Sequence, residues 1–325
     1  MILLSNVTKQ YGNLKAVDDV TLEVKEGETL VLLGTSGCGK TTTLKLINRL
    51  EELTDGTIEV AGTDIKHQKP EELRRKIGYV IQGAGLFPHY TVQENIAVVP
   101  RLLHWKKDKT HSRTLEVLEL LKMPPQQYLH KYPHELSGGQ QQRVGLARAL
   151  VANPPVILMD EPFGALDPIT RNSIRREFKN LEALRNKTTV LVTHDVQEAF
   201  ELGDRICLMD DGEVQQLGTP QELIFRPANA FVTHFLKEHL FQLQLQVLYL
   251  HQLRPFLPPA AQDIASNVLS IAETANVLEA TQLLIATGAI QQGLILEATT
   301  AIPAQSATLT DLMAAVERLT PTLRP

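Results

Sequence analysis

The sequence predicts an α/β fold built on a parallel sheet, followed by a small α+β domain. Three observations predict it: four apolar runs that do not alternate with polar residues, a glycine-rich loop between one run and a helix-forming stretch, and a change of composition near residue 238. Unbroken apolar runs are typical of strands buried on both faces, as in parallel sheets. The runs are Thr29–Leu33, Ile77–Ile81, Val156–Met159 and Thr189–Val192.

Polar residues or a glycine loop follow each of these four runs. Open α/β sheets bind their ligands beyond the carboxyl ends of the strands. We therefore expect one edge of the sheet to collect the functional groups. These are the loop from Gly34 onward, Gln82, the pair Asp160 and Glu161, and His194.

Other parts of the first 240 residues follow different patterns. Apolar and polar residues alternate in three N-terminal runs with turn glycines, which predicts an antiparallel sheet. Helical periodicity, broken at Pro124, predicts a helical insertion over residues 88–152. The runs Ile206–Asp210 and Glu213–Gln216, joined through Asp-Gly, predict a hairpin. The three alternating runs are Leu3–Val7, Val20–Val24 and Thr57–Val60.

Length and composition bound the class of protein. The 325 residues, 43% of them hydrophobic, suffice to bury one large core and a smaller second one. The formal net charge of −5 argues against a nucleic-acid-binding surface. No apolar run reaches the roughly 18–20 residues that span a bilayer, so we expect a cytosolic protein that meets a membrane only through a partner. Two cysteines, Cys38 and Cys207, suit a reducing compartment.

A second domain is predicted after residue 240. Lys237 is the last lysine, and the segment that follows is rich in Gln, Ala, Leu and Thr, with Pro255, Pro258 and Pro259 near its start. Such a shift predicts a linker or a linking helix over residues 238–260. The predicted domains are therefore residues 1–240 and residues 241–325.

The glycine-rich loop has the spacing of a nucleotide phosphate-binding loop. It follows the strand Thr29–Leu33 and opens onto the helix-forming stretch Thr42–Leu50, which is the context that the motif requires. Its backbone N–H groups can turn toward phosphates at a helix N-terminus. We expect Lys40 to reach the β- and γ-phosphates and the Thr41 hydroxyl to coordinate Mg²⁺. The nucleotide-binding candidates are Gly34, Thr35, Ser36, Gly37, Cys38, Gly39, Lys40, Thr41 and Thr42.

The other strand ends supply candidate catalytic and metal-binding groups. Asp160, at the end of an apolar strand, suits the outer shell of Mg²⁺, and Glu161 can polarise an attacking water. His194 can donate a hydrogen bond to the γ-phosphate or to the hydrogen-bond network of that water. The predicted catalytic set is Glu161, His194, Gln82 and Lys40, and the predicted metal set is Thr41, Gln82 and Asp160.

Two further candidates for nucleotide binding keep a structural alternative. Asp167 precedes Pro168 and a helix with an apolar face, so it contributes to the nucleotide site, caps the helix, or does both. Tyr11 either stacks on adenine or belongs to the core. The sequence alone leaves both pairs of roles open.

A second candidate anion-binding loop precedes another helix. Leu136–Gln140 lies directly before the helical stretch Gln141–Leu150, and a helix N-terminus attracts anions. A second phosphate site in a chain with one nucleotide suits a second copy of the chain, in a head-to-tail twofold dimer that holds two nucleotides. The alternative is a glycine turn that only caps the helix. The candidates are Ser137, Gly138, Gly139 and Gln140.

Together these motifs resemble the ATP-binding subunits of ABC transporters, over residues 1–240. The resemblance implies a P-loop nucleotide-binding domain with a RecA-like core, an antiparallel β subdomain and a helical subdomain. It also implies ATP hydrolysis with Mg²⁺, a homodimer of ATP-binding subunits and separate transmembrane permease subunits. The matching motifs are Walker A (Gly34–Thr41), the Q-loop (Gln82), the signature (Leu136–Gln140), Walker B (Val156–Asp160, then Glu161), the D-loop (Ala165-Leu166-Asp167), the switch histidine (His194) and the A-loop aromatic (Tyr11).

Longer stretches are similar to importers of quaternary-amine osmoprotectants such as glycine betaine, carnitine and choline. This resemblance implies that the chain powers uptake of such a solute from the cytoplasmic face of the membrane, through a separate permease and with a separate or fused solute-binding protein. An importer of another small solute, such as an amino acid or a polyamine, is the alternative. The stretches are residues 41–50, 72–82, 85–89 and 94–100.

Two other classes of protein fit the sequence less well. A non-transport ABC ATPase for DNA repair or translation would bring a long coiled-coil insertion, a basic face or two cassettes in one chain, and the sequence shows none of these. A phosphate-loop GTPase or kinase would leave Leu136–Gln140 unexplained, and the sequence contains no Asn-Lys-x-Asp guanine motif. The sequence therefore favours an ABC importer subunit that binds no nucleic acid.

Residues 262–320 resemble one cystathionine-β-synthase (CBS) repeat. Residues 277–280 open a predicted helix, and Thr308 and Asp311 lie near the end of the segment. In such repeats a threonine and an aspartate at this spacing can hold a nucleotide ribose. The segment has room for one repeat or for a degenerate pair, and it serves either as a regulatory domain or as a dimerisation or packing domain without a ligand.

Overall fold

The chain divides after residue 217 in the computed structural model, into one unit of residues 1–217 and one of residues 218–325. The structure describes residues 1–83, 85–164, 166–179, 181, 184, 186–258, 269–289, 294–296 and 305–324. The predicted boundary at residue 240 lies instead inside the second unit, because helices that precede and follow this residue pack against each other.

Two sheets organise the described part of the first unit. An antiparallel sheet has the strand order β2-β1-β4-β5, and a larger sheet has the order β10-β9-β3-β8-β7-β6. The strands are β1 (Ile2–Tyr11), β2 (Leu14–Val24), β3 (Thr29–Gly34), β4 (Asp55–Val60), β5 (Thr63–Asp64), β6 (Ile77–Val80), β7 (Val156–Asp160), β8 (Thr188–Thr193), β9 (Arg205–Asp210) and β10 (Glu213–Gly218).

Burial along the strands explains why the two sheets differ in sequence pattern. In β1, Ile2 and Leu4 are buried whereas Leu3 between them is exposed, as expected of a sheet with one face on the core. β7 and β8 are buried at every residue. β3 pairs in parallel with β8 and β9, and β7 pairs in parallel with β6 and β8. The predicted α/β fold with a parallel sheet is thus confirmed.

One strand of the parallel sheet was not predicted as such. The sequence indicated only that Ile206–Asp210 forms a hairpin with the next run. β9 does lie beside β10, but it also pairs in parallel with β3, from Leu30 opposite Arg205 to Gly34 opposite Met209. Cys207 and Leu208 are fully buried, which fits a strand covered on both faces. The Asp-Gly turn indicated the antiparallel pairing with β10 but gave no sign of the parallel pairing with β3.

Helices cover the sheet and form the segment between β6 and β7. α7 contacts α3, α5 and β6, and so connects this helical segment to the parallel sheet. Among the described residues, no helix has the length and apolar character needed to cross a bilayer. The helices of the first unit are α1 (Lys40–Ile47), α2 (Pro70–Arg75), α3 (Val92–Ile96), α4 (Val98–Leu102), α5 (Lys107–Leu120), α6 (Pro125–Tyr128), α7 (Gly138–Leu150), α8 (Pro168–Lys179) and α9 (Val196–Leu202).

The described part of the second unit combines helices with a three-stranded sheet. Its strands lie in the order β11-β12-β13; β11 and β12 are parallel, and β12 and β13 antiparallel. The elements are α10 (Pro220–Phe225), α11 (Ala230–Leu236), α12 (Leu240–Val247), α13 (Leu250–Leu253), β11 (Leu269–Ile271), α14 (Val277–Ala286), β12 (Leu294–Leu296), β13 (Gln305–Ala307) and α15 (Leu309–Leu323).

The segment predicted as a linker or linking helix is largely helical where it is described, up to residue 258. α12 and α13 lie in it, and Leu243, Leu248, Leu250 and Leu253 are fully buried. α12 contacts α14, and α13 contacts α15. These helices therefore belong to the core of the second unit. Residues 262–268, 290–293 and 297–304 of the predicted CBS segment lie outside the described residues.

Candidate functional site

The phosphate loop connects β3 to α1 and depends on two glycines. Gly39 has φ +102°, and a Cβ atom there would lie 2.3 Å from the Ala16 carbonyl oxygen. A Cβ at Gly34 would lie 2.2 Å from the Met209 carbonyl oxygen. Both approaches exclude a side chain, so the neighbouring backbone fixes the path of the loop. Gly39 caps α1 without a side-chain hydrogen bond.

Lys40 and Thr41 begin α1 and point into different parts of the site. Lys40 is buried, and its Nζ donates hydrogen bonds to the carbonyl oxygens of Gly34 (2.9 Å) and Thr35 (2.6 Å). Its ammonium group therefore lies inside the loop. The Thr41 hydroxyl donates to Asp160 Oδ1 at 2.8 Å, which joins the first turn of α1 to the end of β7.

Asp160 lies in an environment that suits a cation. Burial raises the pKa of its carboxyl group above the ordinary value, whereas the Thr41 hydrogen bond and the nearby Lys45 and Lys40 act in the opposite direction. A bound metal cation would further offset the cost of burying the Asp160 charge. Mg²⁺ prefers oxygen ligands and is usually held by one or two protein oxygens together with phosphates. Thr41 and Asp160 fit that donor set, and the described residues contain no cluster of three or more His, Cys, Asp or Glu placed for a metal.

Glu161 lies one residue beyond Asp160 and joins two other strand ends. Gln82 Nε2, beyond β6, donates to Glu161 Oε2 at 2.9 Å. His194 Nδ1, beyond β8, lies 3.1 Å from Glu161 Oε1. Each carboxylate oxygen thus has its own partner, and the structure brings together three of the four predicted catalytic residues. This arrangement can orient a water and accept its proton.

The backbone at Glu161 is strained. Its φ is +43°, a value that residues with a Cβ rarely adopt. Its N–H donates to the Val192 carbonyl oxygen at 3.0 Å, and its own carbonyl accepts from Gly164 N–H at 3.1 Å. Strained positions persist when surrounding contacts fix them, and they occur preferentially at functional sites.

The signature loop forms the N-terminus of α7. Ser137 Oγ accepts a hydrogen bond from the Gln140 N–H at 3.4 Å, and Gln140 Oε1 accepts from the Ser137 N–H at 3.0 Å. Gln140 Nε2 donates to the Tyr128 hydroxyl at 3.2 Å. A Cβ at Gly138 would lie 3.7 Å from Leu166 Cδ2, an ordinary contact. No described hydrogen bond joins this loop to the phosphate loop of the same chain.

The remaining candidates are less closely tied to these groups. Tyr11 is exposed, and Lys9 Nζ lies 4.6 Å from its ring centroid. Partial desolvation, together with a hydrogen bond to the Glu51 carboxylate, raises the pKa of the Tyr11 hydroxyl. Asp167 is exposed, and its carbonyl accepts from the Arg171 N–H at 2.9 Å in the first turn of α8. Ala165 of the D-loop lies outside the described residues.

The other phosphate-loop candidates differ in burial. Ser36 and Gly37 are exposed, Thr42 is half-buried, and Cys38 is buried.

Sequence reasoning missed Asp210, which follows the apolar part of β9. The Thr35 hydroxyl donates to its Oδ1 at 3.2 Å, so this carboxylate fixes the phosphate loop from the neighbouring strand. The signal was present, because Asp210 follows an apolar run just as Asp160 does. The role of Asp210 was missed because the sequence pattern of this run was interpreted only as one strand of a hairpin.

In the second unit, Thr308 and Asp311 form the cap of α15. The Thr308 hydroxyl donates to Asp311 Oδ2 at 2.6 Å, and the Thr308 N–H donates to the same oxygen at 2.9 Å. The Asp311 N–H returns a hydrogen bond to the Thr308 hydroxyl at 3.2 Å. This reciprocal capping box accounts for both residues without a ligand.

Comparisons with known proteins point to one family. The family model described as "ABC transporter" matches residues 17–164. The glycine betaine/carnitine/choline transport ATP-binding protein OpuCA of Bacillus subtilis is 56% identical over 244 residues, which cover 74% of this chain and 64% of OpuCA. The glycine betaine uptake system ATP-binding protein YehX of Escherichia coli is 52% identical over 235 residues, covering 72% of this chain and 76% of YehX.

Solved structures of the cassette MJ0796 are also similar. Its dimeric structure, described as a bacterial ABC transporter cassette, has a TM-score of 0.60 and 39% identity, and the match covers 67% of this chain and 98% of that one. A dimeric post-hydrolysis state of MJ0796 bound to ADP and Pi has a TM-score of 0.61 and 37% identity, with the same coverage. Motifs, fold and identity agree, and the chain therefore belongs to the ABC transporter family.

Proposed function

We propose that the chain is the ATP-hydrolysing subunit of an ABC importer for a quaternary-amine osmoprotectant. The observation that carries the ATPase is the set of contacts around Glu161. Gln82 and His194 hold its two carboxylate oxygens, and Thr41 and Asp160 lie directly beside it along β7 and α1. A base, a candidate metal site and a phosphate loop thus meet at one edge of the sheet.

The residues divide the chemical work as follows. Lys40 and the backbone N–H groups of the loop bind the β- and γ-phosphates, and Glu161 orients a water and accepts its proton. His194 and Gln82 fix the Glu161 carboxylate and complete the hydrogen bonds around that water. Thr41 and Asp160, with Gln82 as the third candidate ligand, would hold Mg²⁺, which would supply positive charge to the phosphate oxygens.

The signature loop serves a second copy of the chain. Its Ser137 hydroxyl accepts from the helix, so the hydroxyl proton can be donated outward to a phosphate. A head-to-tail dimer in which Ser137 completes the partner's nucleotide site is supported by the dimeric structures of the similar cassette MJ0796. Each pair then holds two ATP molecules, with Tyr11 stacked on adenine and Asp167 near the interface.

The transport role rests on the similarity to OpuCA and YehX. We propose that the dimer acts on the cytoplasmic face of the membrane, where it drives a separate permease that receives solute from a binding protein. For the second unit we propose a CBS-like domain that pairs across the dimer, since helices and a small sheet occur in its described part. Because Thr308 and Asp311 cap α15, dimerisation without a bound nucleotide is the favoured role.

Phosphate release and solute uptake test this proposal together. The purified chain should release phosphate from ATP only when Mg²⁺ is added. Source cells that carry Glu161→Gln should lose salt-induced uptake of labelled glycine betaine, carnitine or choline but retain uptake of spermidine and amino acids. No phosphate release would exclude the ATPase, and a loss confined to spermidine or an amino acid would assign the importer to that solute instead.

A further inference from the structure

Arg171, in the first turns of α8, binds the backbone of the D-loop. Its Nη2 donates to the Leu166 carbonyl oxygen at 3.0 Å and approaches the Gly164 carbonyl oxygen at 3.5 Å. Gly164 in turn donates its N–H to the Glu161 carbonyl. Leu166 is buried, and its side chain lies beside the signature glycine Gly138. One guanidinium group therefore holds the backbone between the catalytic carboxylate and the signature loop.

The same guanidinium reaches the segment that carries the switch histidine. Arg171 Nη1 lies 3.7 Å from Asp195 Oδ2, and Asp195 directly follows His194. Asp195 is itself fixed, since its Oδ1 accepts the Glu198 N–H at 3.1 Å and its own N–H donates to the Thr193 hydroxyl at 3.0 Å. At 27% and 26% side-chain exposure, such an ion pair contributes little to stability. The ion pair therefore acts by fixing the position of the segment that carries His194.

Other contacts of α8 do not involve Arg171. Arg175, one turn further along α8, pairs with Glu201 of α9, and both side chains are largely buried. Phe178 adds an edge-on contact to Phe163, with ring centroids 5.4 Å apart. These contacts hold α8 in place, so a change at Arg171 can act on the D-loop and the histidine without releasing the helix.

A neighbouring carboxyl group, that of Glu198, competes only weakly with Asp195 for Arg171. Glu198 is 3% exposed, and burial raises its pKa to about 8, against the smaller opposing effects of its Thr193 hydrogen bond and of Arg175 and Arg171. At neutral pH it is therefore mostly uncharged. Within the described residues its Oε1 has no hydrogen-bond partner, as a neutral carboxyl group tolerates more easily than a carboxylate.

We propose that Arg171 is a positioning residue for ATP hydrolysis, which couples the D-loop backbone to the strand end that presents His194 to Glu161. The guanidinium group bridges two carbonyl oxygens on one side and a carboxylate on the other, which a single ammonium cannot reproduce. This inference rests on the proposed ATPase function. A displaced His194 would leave one Glu161 oxygen without its partner.

Three variants of the full chain test the bridge. Arg171→Met removes all donors at similar length, Arg171→Lys keeps the charge, and Lys179→Met removes an exposed charge from the same helix as a control. We expect Arg171→Met to lower kcat about 10- to 100-fold, as expected of misplaced catalytic groups, with ATP affinity within about twofold of the parent. Arg171→Lys should recover only part of kcat, and Lys179→Met should match the parent. A kcat within twofold of the parent for Arg171→Met, or full recovery with Arg171→Lys, would overturn the bridge.

A measurement on His194 separates this inference from the ATPase itself. The imidazole signals of His194 can be assigned by NMR from their loss in His194→Gln. They should shift in Arg171→Met and stay unchanged in Lys179→Met. Unmoved signals in Arg171→Met would refute the positioning role whatever the hydrolysis rate. A parent chain that releases no phosphate would refute the proposed ATPase alone, and the His194 signals would still decide the role of Arg171.

Discussion

Two helix N-termini in the first unit contain glycines at or next to the cap but are built differently. At α1, Gly39 caps the helix with φ +102° and no side-chain hydrogen bond, so backbone N–H groups stay open to an anion. At α7, Ser137 and Gln140 form a reciprocal capping box that pairs the backbone N–H groups of these two residues. The first end is a ready phosphate site, whereas the second is complete as a helix end without one.

This difference shows what each loop can offer to a nucleotide. The α1 loop can surround phosphates with N–H groups because its glycines bring the backbone close. The α7 loop has its N–H groups partly occupied, but the Ser137 hydroxyl accepts from the helix and keeps its own proton to donate. A donor turned outward from a stable helix end suits a phosphate held by another copy of the chain.

The largest expected effect is at Glu161, and it tests whether the group that activates water lies beside the α1 loop and not at α7. Glu161→Gln keeps the shape of the side chain but removes the base, so kcat should fall about 10²- to 10⁴-fold with ATP affinity retained. Steady-state phosphate release and nucleotide titration measure the two quantities. Because ATP is bound and not consumed, this variant should also accumulate as a dimer in size-exclusion chromatography. Undiminished hydrolysis would mean that another group activates the water.

A matched pair of glycine substitutions tests the difference in backbone geometry. Gly39→Ala forces a Cβ to within 2.3 Å of the Ala16 carbonyl and strains a positive φ, so ATP affinity should drop about 100-fold or more. Gly138→Ala meets only Leu166 Cδ2 at 3.7 Å and should leave the melting temperature and the affinity of single chains for ATP unchanged. Equal losses in both variants would show that the two loops are alike after all.

The sequence was sufficient to place most groups of the candidate site at one sheet edge, because parallel strands align their ends. The runs before Gly34, Gln82, Asp160 and His194 are local patterns, and the sheet brings their ends to one edge without further information. The pairing of Glu161 with two specific partners is not local. It depends on the sheet order and on the strained φ of Glu161, neither of which a residue pattern encodes.

Other features were hidden for related reasons. Asp210 was not predicted as a site residue, because the Asp-Gly turn indicated only a hairpin and not the parallel pairing of β9 with β3. The link between Arg171 and Asp195 joins two helix starts that are separated in sequence by a whole strand. The boundary after residue 217 differs from the predicted 240 because composition changes later in the chain than packing does. Long-range contacts, which only the folded chain reveals, decide all three.

Substitutions at Ser137 separate its capping role from its donor role. Ser137→Asp keeps a good N-cap but replaces the donor by a negative charge, so hydrolysis should fall roughly 10- to 100-fold while the melting temperature stays near that of the parent. Ser137→Ala should lose hydrolysis and, in addition, about 1 kcal/mol of stability. Denaturant titration and phosphate release measure the two effects. If Ser137→Asp hydrolyses ATP normally, the α7 end is only a helix cap.

The smallest effect is expected at a third helix N-terminus, which serves as the reference for a cap without chemistry. α15 begins with the same kind of reciprocal box, in which Thr308 and Asp311 satisfy each other. Thr308→Ala should lower the free energy of unfolding by about 1 kcal/mol and leave the rate of hydrolysis within twofold of the parent. Denaturant titration and phosphate release compare it directly with Ser137→Ala, because the two changes remove equivalent caps. A fall in hydrolysis as large as that of Ser137→Ala would show that the second unit takes part in nucleotide turnover. A loss of stability alone would show that α7 differs from α15 by the donor role of the Ser137 hydroxyl, since both helices have the same kind of cap.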